Sequence, residues 1–146
     1  MSASGAGIGV AEKIDVLIVT AVEIEYAAAL LVETGAWPGS AWEKQPGPTG
    51  FEIAFRTFRG NDGSPMRFAL TRAHGMGGVE AVNVALPAIT AYQPRCVAMC
   101  GVCAGRRDDV ELGDVIVADR LWAYDTGKLK VPLCQRRARQ HSPGNL

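Results

Sequence analysis

The sequence predicts an α/β fold in which helices cover both faces of a mostly parallel β-sheet, three layers in all. Short apolar runs rich in β-branched residues recur along the chain, as strands buried on both faces require. Helix-forming stretches separate several of these runs, the alternation that builds parallel sheets. Three loops, Thr20–Glu25, Ala73–Gly78 and Gly101–Gly105, leave these runs at the strand ends where ligands gather in such sheets.

Asp15 to Thr20 is the first strand. After Ala21-Val22-Glu23-Ile24-Glu25-Tyr26, the stretch Ala27 to Thr34 is a strong helix former, and Gly35 is a good stop for it. Trp37 to Gly50 holds three prolines and several glycines and reads as a loop. Phe51 to Phe58 alternates, as a strand with one wetter face does. Gly60 to Gly63 is a turn, Arg67 to Thr71 a strand, and His74-Gly75-Met76-Gly77-Gly78 a loop. Val79 to Tyr92 is helical, with Pro87 expected to bend or split it. Arg95 to Cys100 is the next strand, Gly101 to Gly105 another small-residue loop, and Asp114 to Asp119 the last strand. No internal repeat is present.

The chain has 146 residues, 48% of them hydrophobic, and no formal net charge. That composition describes a globular protein and excludes a disordered one. The apolar runs are too short to cross a bilayer, and the N-terminus lacks the charged start of a secretory signal, so the cytoplasm is expected. Residues 1–125 carry 15 acids against 10 Lys/Arg, a net of −5, and residues 126–146 carry five basic residues and no acid. This tail has no interleaved aromatics for stacking on bases, so it reads as a solvated terminus and no nucleic-acid partner is expected. The domain is expected over residues 14–128, between a flexible lead-in of 1–13 and a basic tail of 129–146.

Three loops carry the candidate chemistry. Glu23 and Glu25 open the first helix, where acids offset the positive end of the helix dipole. One of them could instead face a cleft as a general acid or base. The glycines of residues 74–78 allow backbone N–H groups close to a ligand, but the Gly-x-Gly-x-x-Gly spacing of a dinucleotide site is absent. His74 is either a ligand contact or a turn histidine. Cys96, Cys100 and Cys103 have the C-x3-C-x2-C spacing of an iron–sulfur loop. Cys96 and Cys100, however, fall in an apolar strand that cannot wrap a cluster, and buried free cysteine is an ordinary core residue. No disulfide framework, metal or cofactor is expected.

Read together, these loops resemble the nucleoside phosphorylase and nucleosidase superfamily, most closely the methylthioadenosine/S-adenosylhomocysteine nucleosidases. The motifs are Thr20-Ala21-Val22-Glu23-Ile24-Glu25 after the first strand, then His74-Gly75-Met76-Gly77. Last come Cys100-Gly101-Val102-Cys103-Ala104-Gly105 and Leu112-Gly113-Asp114-Val115-Ile116-Val117-Ala118-Asp119. The resemblance implies that Glu25 positions the attacking water. It implies that Ala21 and Val22 line the substrate pocket, and that His74, Gly75 and Met76 sit beside the ribose or the nucleophile. Gly101, Val102 and Cys103 would form the floor near the base. A purine nucleoside is the implied ligand, and a homo-oligomer the implied assembly.

Two departures bear on function. Where phosphorylases of the family carry a phosphate-binding Arg and Ser, this chain has Met99 and Val102. Hydrolysis is therefore expected over phosphorolysis, since phosphate loses its bidentate partner. The family also supplies, further along the chain, a Glu for the ribose hydroxyls and an Asp that protonates the leaving purine. The resemblance fades after Lys128–Lys130, which predicts a truncated or frame-shifted, incomplete or inactive form. A non-catalytic nucleoside-binding or oligomerisation module is the rival expectation.

Overall fold

The computed structural model describes residues 13–48, 50–106 and 108–120. The chain divides into two units, Met1–Ala104 and Gly105–Leu146. Residues 1–12 of the expected lead-in and all of the basic tail of 129–146 lie outside the described residues.

The first unit holds β1 (Val16–Thr20), α1 (Glu23–Leu30), β2 (Glu43–Pro46), β3 (Glu52–Arg59), β4 (Pro65–Arg72), α2 (Gly78–Tyr92) and β5 (Cys96–Met99). The five strands form one mixed sheet in the order β2-β3-β4-β1-β5. β1 is parallel to β4, with Ile18 opposite Leu70, and to β5, with Ile18 opposite Ala98. β3 is antiparallel to both β2 and β4. The parallel half is the part that carries the three loops.

Helices cover the two faces, as a buried sheet requires. On one face Leu17, Val19, Ile53, Phe55 and Ala69 pack against Ala88, Ala85, Ile89 and Tyr92 of α2. On the other, Ala54, Leu70 and Ile18 pack against Tyr26, Ala29 and Leu30 of α1. The period-2 alternation along β3 and β4 sorts side chains between these layers. The α/β class and the layering agree with the sequence, although the sheet divides evenly into two parallel and two antiparallel pairings.

Four elements differ from expectation. The helix predicted over Ala27–Thr34 begins earlier and ends at Leu30. Its exit is set by Arg56 on β3, whose guanidinium donates to the Val32 and Ser40 carbonyls and both Glu33 carboxylate oxygens. Gly35, at φ +79, turns the chain only after the helix has stopped. The loop expected from Trp37 to Gly50 contains β2, which is exposed along its length and held by backbone pairing to β3. Pro87 does not split α2, which runs unbroken through it. The carbonyl that Pro87 deprives of a donor belongs to Asn83, which is exposed and open to water.

The strand expected over Asp114–Asp119 does not form. Val115, Ile116 and Val117 are exposed, and the described part of the second unit contains no strand for them to pair with. Turns organise that part instead: the Glu111 amide donates to the Asp114 carboxylate at 2.9 Å, and Arg106 pairs with Asp109. Among the described residues no helix is long and apolar enough to cross a membrane.

Candidate functional site

β4, β1 and β5 run side by side in one direction, so the loops that leave their carboxyl ends share one rim of the sheet. α1 leaves β1 over one face and α2 leads into β5 over the other. Such a reversal opens a crevice in doubly wound sheets. Backbone bonds knit the rim: the Ala73 amide donates to the Thr20 carbonyl at 2.8 Å, and the Cys100 amide to that of Val19 at 2.9 Å.

Glu25 sits at the centre of this rim. Its Oε2 accepts the backbone N–H groups of Ala21 at 3.0 Å and Val22 at 3.2 Å. Its Oε1 accepts that of Val102 at 2.9 Å. The first two bonds are half of a capping box: Glu25 returns to the start of its own helix, while Val22 has no side-chain acceptor to complete the box. The third crosses to the loop after β5 and joins two segments far apart in sequence. The Val102 bond, aided by those from Ala21 and Val22, lowers the Glu25 pKa against the opposing pull of burial.

Linkage fixes the pH consequence. A carboxylate with a depressed folded pKa contributes stability above its unfolded value, near 4.5, and loses it as pH falls through the folded value. Glu25→Gln is therefore expected to lower the Tm at neutral pH. The gap to wild type should close as acid protonates Glu25 in the parent. Thermal melts of both proteins across pH check this, and a gap that persists unchanged in acid contradicts it.

Glu25 borders a cavity of about 520 Å³ together with Gly101, Val102 and Cys100. Apart from Thr34 the rest of its wall is apolar, with Trp42, Phe58, Phe68 and Leu70 prominent. Gly101 is required here because a Cβ at that position would lie 2.6 Å from Glu25 Oε1. The three aromatic residues escaped sequence reasoning. Alternation along β3 and β4 hints at Phe58 and Phe68 but does not tell a cavity wall from a core, and Trp42 lies in a stretch read as loop.

A second cavity, about 360 Å³, lies against α1 and is lined by Glu23, Tyr26, Lys44, Glu52, Arg72 and His74 among others. The His74 ring stands edge-on to Phe51, which also lines this cavity. Thus the structure gathers Ala21, Val22, Gly101 and Val102 around Glu25, while His74 lines the second cavity and not the first. Gly75, Met76 and Cys103 line neither, and Met76 is exposed. Cys96 opens β5 and Cys100 follows its last residue, so extended chain holds them about 13 Å apart, and both are exposed rather than the buried core residues the sequence suggested. Among the described residues no group of three His, Cys, Asp or Glu side chains stands close enough to share a metal ion.

Over 53 residues the chain is 49% identical to the uncharacterized protein y4jS of Sinorhizobium fredii, a match covering 36% of this chain and 13% of that one. Over 113 residues it is 31% identical to the ATP nucleosidase Cap17 of Escherichia coli, covering 76% of this chain and 21% of the relative. The match therefore spans about a fifth or less of these relatives' own lengths. No solved structure matches at a significant level. The family model described as the phosphorylase superfamily matches residues 15–139. That match takes in the sheet, both helices and every loop of the rim, and the chain belongs to this superfamily, the nucleoside phosphorylases and nucleosidases.

Proposed function

We propose that the rim around Glu25 is the water-handling side of a nucleosidase site, and that this chain binds a purine nucleoside or nucleotide without cleaving it. The observation that carries the proposal is the Glu25 carboxylate, held by three backbone N–H groups at the mouth of an apolar cavity of nucleoside size. A carboxylate offers about four lone-pair sites, so one remains to accept from a water. With its basicity lowered, Glu25 orients that water rather than deprotonating it in advance.

In hydrolysis the water oxygen bonds to the anomeric carbon as the bond from that carbon to the base nitrogen breaks. The departing electron pair goes to the base, which must gain a proton, and the attacking water must lose one. Glu25 is placed for the water side. Among the described residues it is the single carboxylate in the cavity wall, and none of the others there offers a second carboxyl to protonate the base. Among those lining residues there is also no Arg or Lys to hold phosphate, and Met99 and Val102 stand where phosphorylases of the family carry phosphate ligands. Both features favour water over phosphate as the acceptor. Similarity to a relative named as an ATP nucleosidase extends the ligand class to purine nucleotides. The three exposed free cysteines among the described residues suit a reducing compartment, which supports a cytoplasmic location.

Calorimetry with adenosine, methylthioadenosine and ATP, paired with chromatography for free adenine, tests the proposal. Saturable binding with no adenine released is expected. Adenine release by the purified chain would overturn the silent-site reading, and failure to bind any of the three would overturn the site itself.

A further inference from the structure

The second cavity carries a balanced set of charges. Two ion pairs line it: Arg72 Nε to Glu23 Oε2 at 3.0 Å, and Lys44 Nζ to Glu52 Oε1 at 2.9 Å. The Tyr26 hydroxyl donates to the same Glu52 oxygen at 2.9 Å, and Lys44 lies 5.5 Å above the Tyr26 ring. The four charged side chains sum to zero.

Each pair is only partly spent. Arg72 meets Glu23 through Nε alone, so the two terminal nitrogens of its guanidinium, the edge that grips an oxyanion with two parallel bonds, have no partner among the described residues. The Arg72 side chain is 40% exposed, so this edge is reachable from solvent. Glu52 Oε2 and Glu23 Oε1 likewise accept nothing from the described residues. The cavity thus holds one open bidentate donor and two open carboxylate oxygens, beside an aromatic wall of Tyr26 and Phe51.

A simple anion would meet Arg72 but also face Glu23 and Glu52. A simple cation would meet those carboxylates but also face Arg72 and Lys44. A ligand carrying both charges satisfies both sets at once and leaves the ion pairs intact. We propose that this cavity binds a small zwitterion of the α-amino acid class, its carboxylate on the terminal edge of Arg72, its ammonium on Glu52 or Glu23, and its side chain against Tyr26 and Phe51. This site is separate from the Glu25 cavity and does not depend on the function proposed for it.

L-Phenylalanine serves as the probe, with 3-phenylpropionate and phenethylamine as analogues that each lack one charge, and inorganic phosphate as a plain anion. Titrations of the full chain, followed by calorimetry or NMR, are expected to show L-phenylalanine binding roughly tenfold more tightly than either analogue, the range for one charge-assisted pair. Arg72→Gln should erase that advantage over phenethylamine, and Arg72→Lys should do so largely, because an ammonium cannot reproduce the two-pronged contact. Adenosine binding should be unchanged in both variants, which separates failure here from failure of the Glu25 site. Binding of 3-phenylpropionate or phosphate as tight as that of L-phenylalanine would overturn the proposal in favour of a plain anion site. Absence of L-phenylalanine binding, or affinity indifferent to Arg72→Gln, would also overturn it. Should Arg72→Gln fail to fold, Arg72→Lys and the analogue series on wild type decide the matter.

Discussion

Leu17→Ala is expected to destabilise the protein by about 2–5 kcal/mol, the cost of truncating a fully buried leucine in a core that only partly closes the gap. Leu17 is 0% exposed and packs in the layer between the sheet and α2. It stands on β1, which is paired on both sides, so neither neighbouring strand is free to slide into the space. Folded domains hold roughly 5–15 kcal/mol in total, so this loss is a large share of the whole. A fall in Tm of at least roughly 10 °C follows for a unit of this size. The contrasting substitution is Val97→Ala on β5, at a side chain 46% exposed. Its cost should stay below about 1 kcal/mol. Thermal and urea melts of both variants measure the difference, and equal losses would contradict the layer assignment.

Gly101→Ala is expected to release the clamp on Glu25 and with it purine binding. The new methyl group would lie 2.6 Å from Oε1 and 2.8 Å from the carboxyl carbon. A free glutamate would swing aside at little cost, but this one is tied by three amides. Moving it breaks the bond from Val102 first, because that loop carries the intruding methyl. The loss is about 1–2 kcal/mol, the lower part of the range for a hydrogen bond to a charged group, since Glu25 is only partly buried. A double-mutant cycle isolates the cause: in a Glu25→Ala background the same Gly101→Ala change should cost almost nothing. Loss of adenosine binding in Gly101→Ala alongside an unchanged near-ultraviolet circular dichroism signal, which reports the packing of core aromatics such as Tyr26 and Phe55, would complete the pattern. Equal costs in both backgrounds would show that Gly101 and Glu25 act independently.

The parallel half of the sheet was legible because its strands announce themselves. Val16 to Thr20 and Cys96 to Met99 are apolar or β-branched, and the second runs into the small-residue loop Gly101 to Gly105. Glu25 was legible as a helix-start acid and as a family position, and both readings meet in its bonds to the Ala21 and Val22 amides. Its bond to Val102 joins positions 77 residues apart, a contact that no local pattern encodes. β2 was hidden because all four of its side chains are exposed, so Glu43-Lys44-Gln45-Pro46 shows no alternation and borrows its order from β3. Asp114 to Asp119 misled in the opposite sense. Its apolar residues look like a strand, yet a strand is a relation between two segments, and none pairs with it among the described residues. The second cavity was invisible for a similar reason. Glu23, Lys44, Glu52 and Arg72 come from four separate elements, and each alone reads as an ordinary surface charge.

The place of β1 between β4 and β5 carries a consequence for synthesis. Thr20 leaves the ribosome about 75 residues before Cys96, which at 5–20 residues per second is about 4–15 s. Throughout that interval the apolar strand Val16–Thr20 has gained at most one of its two neighbours. A nascent chain of this protein therefore travels with its most water-averse segment open on one flank, a natural target for chaperones that shield emerging polypeptides.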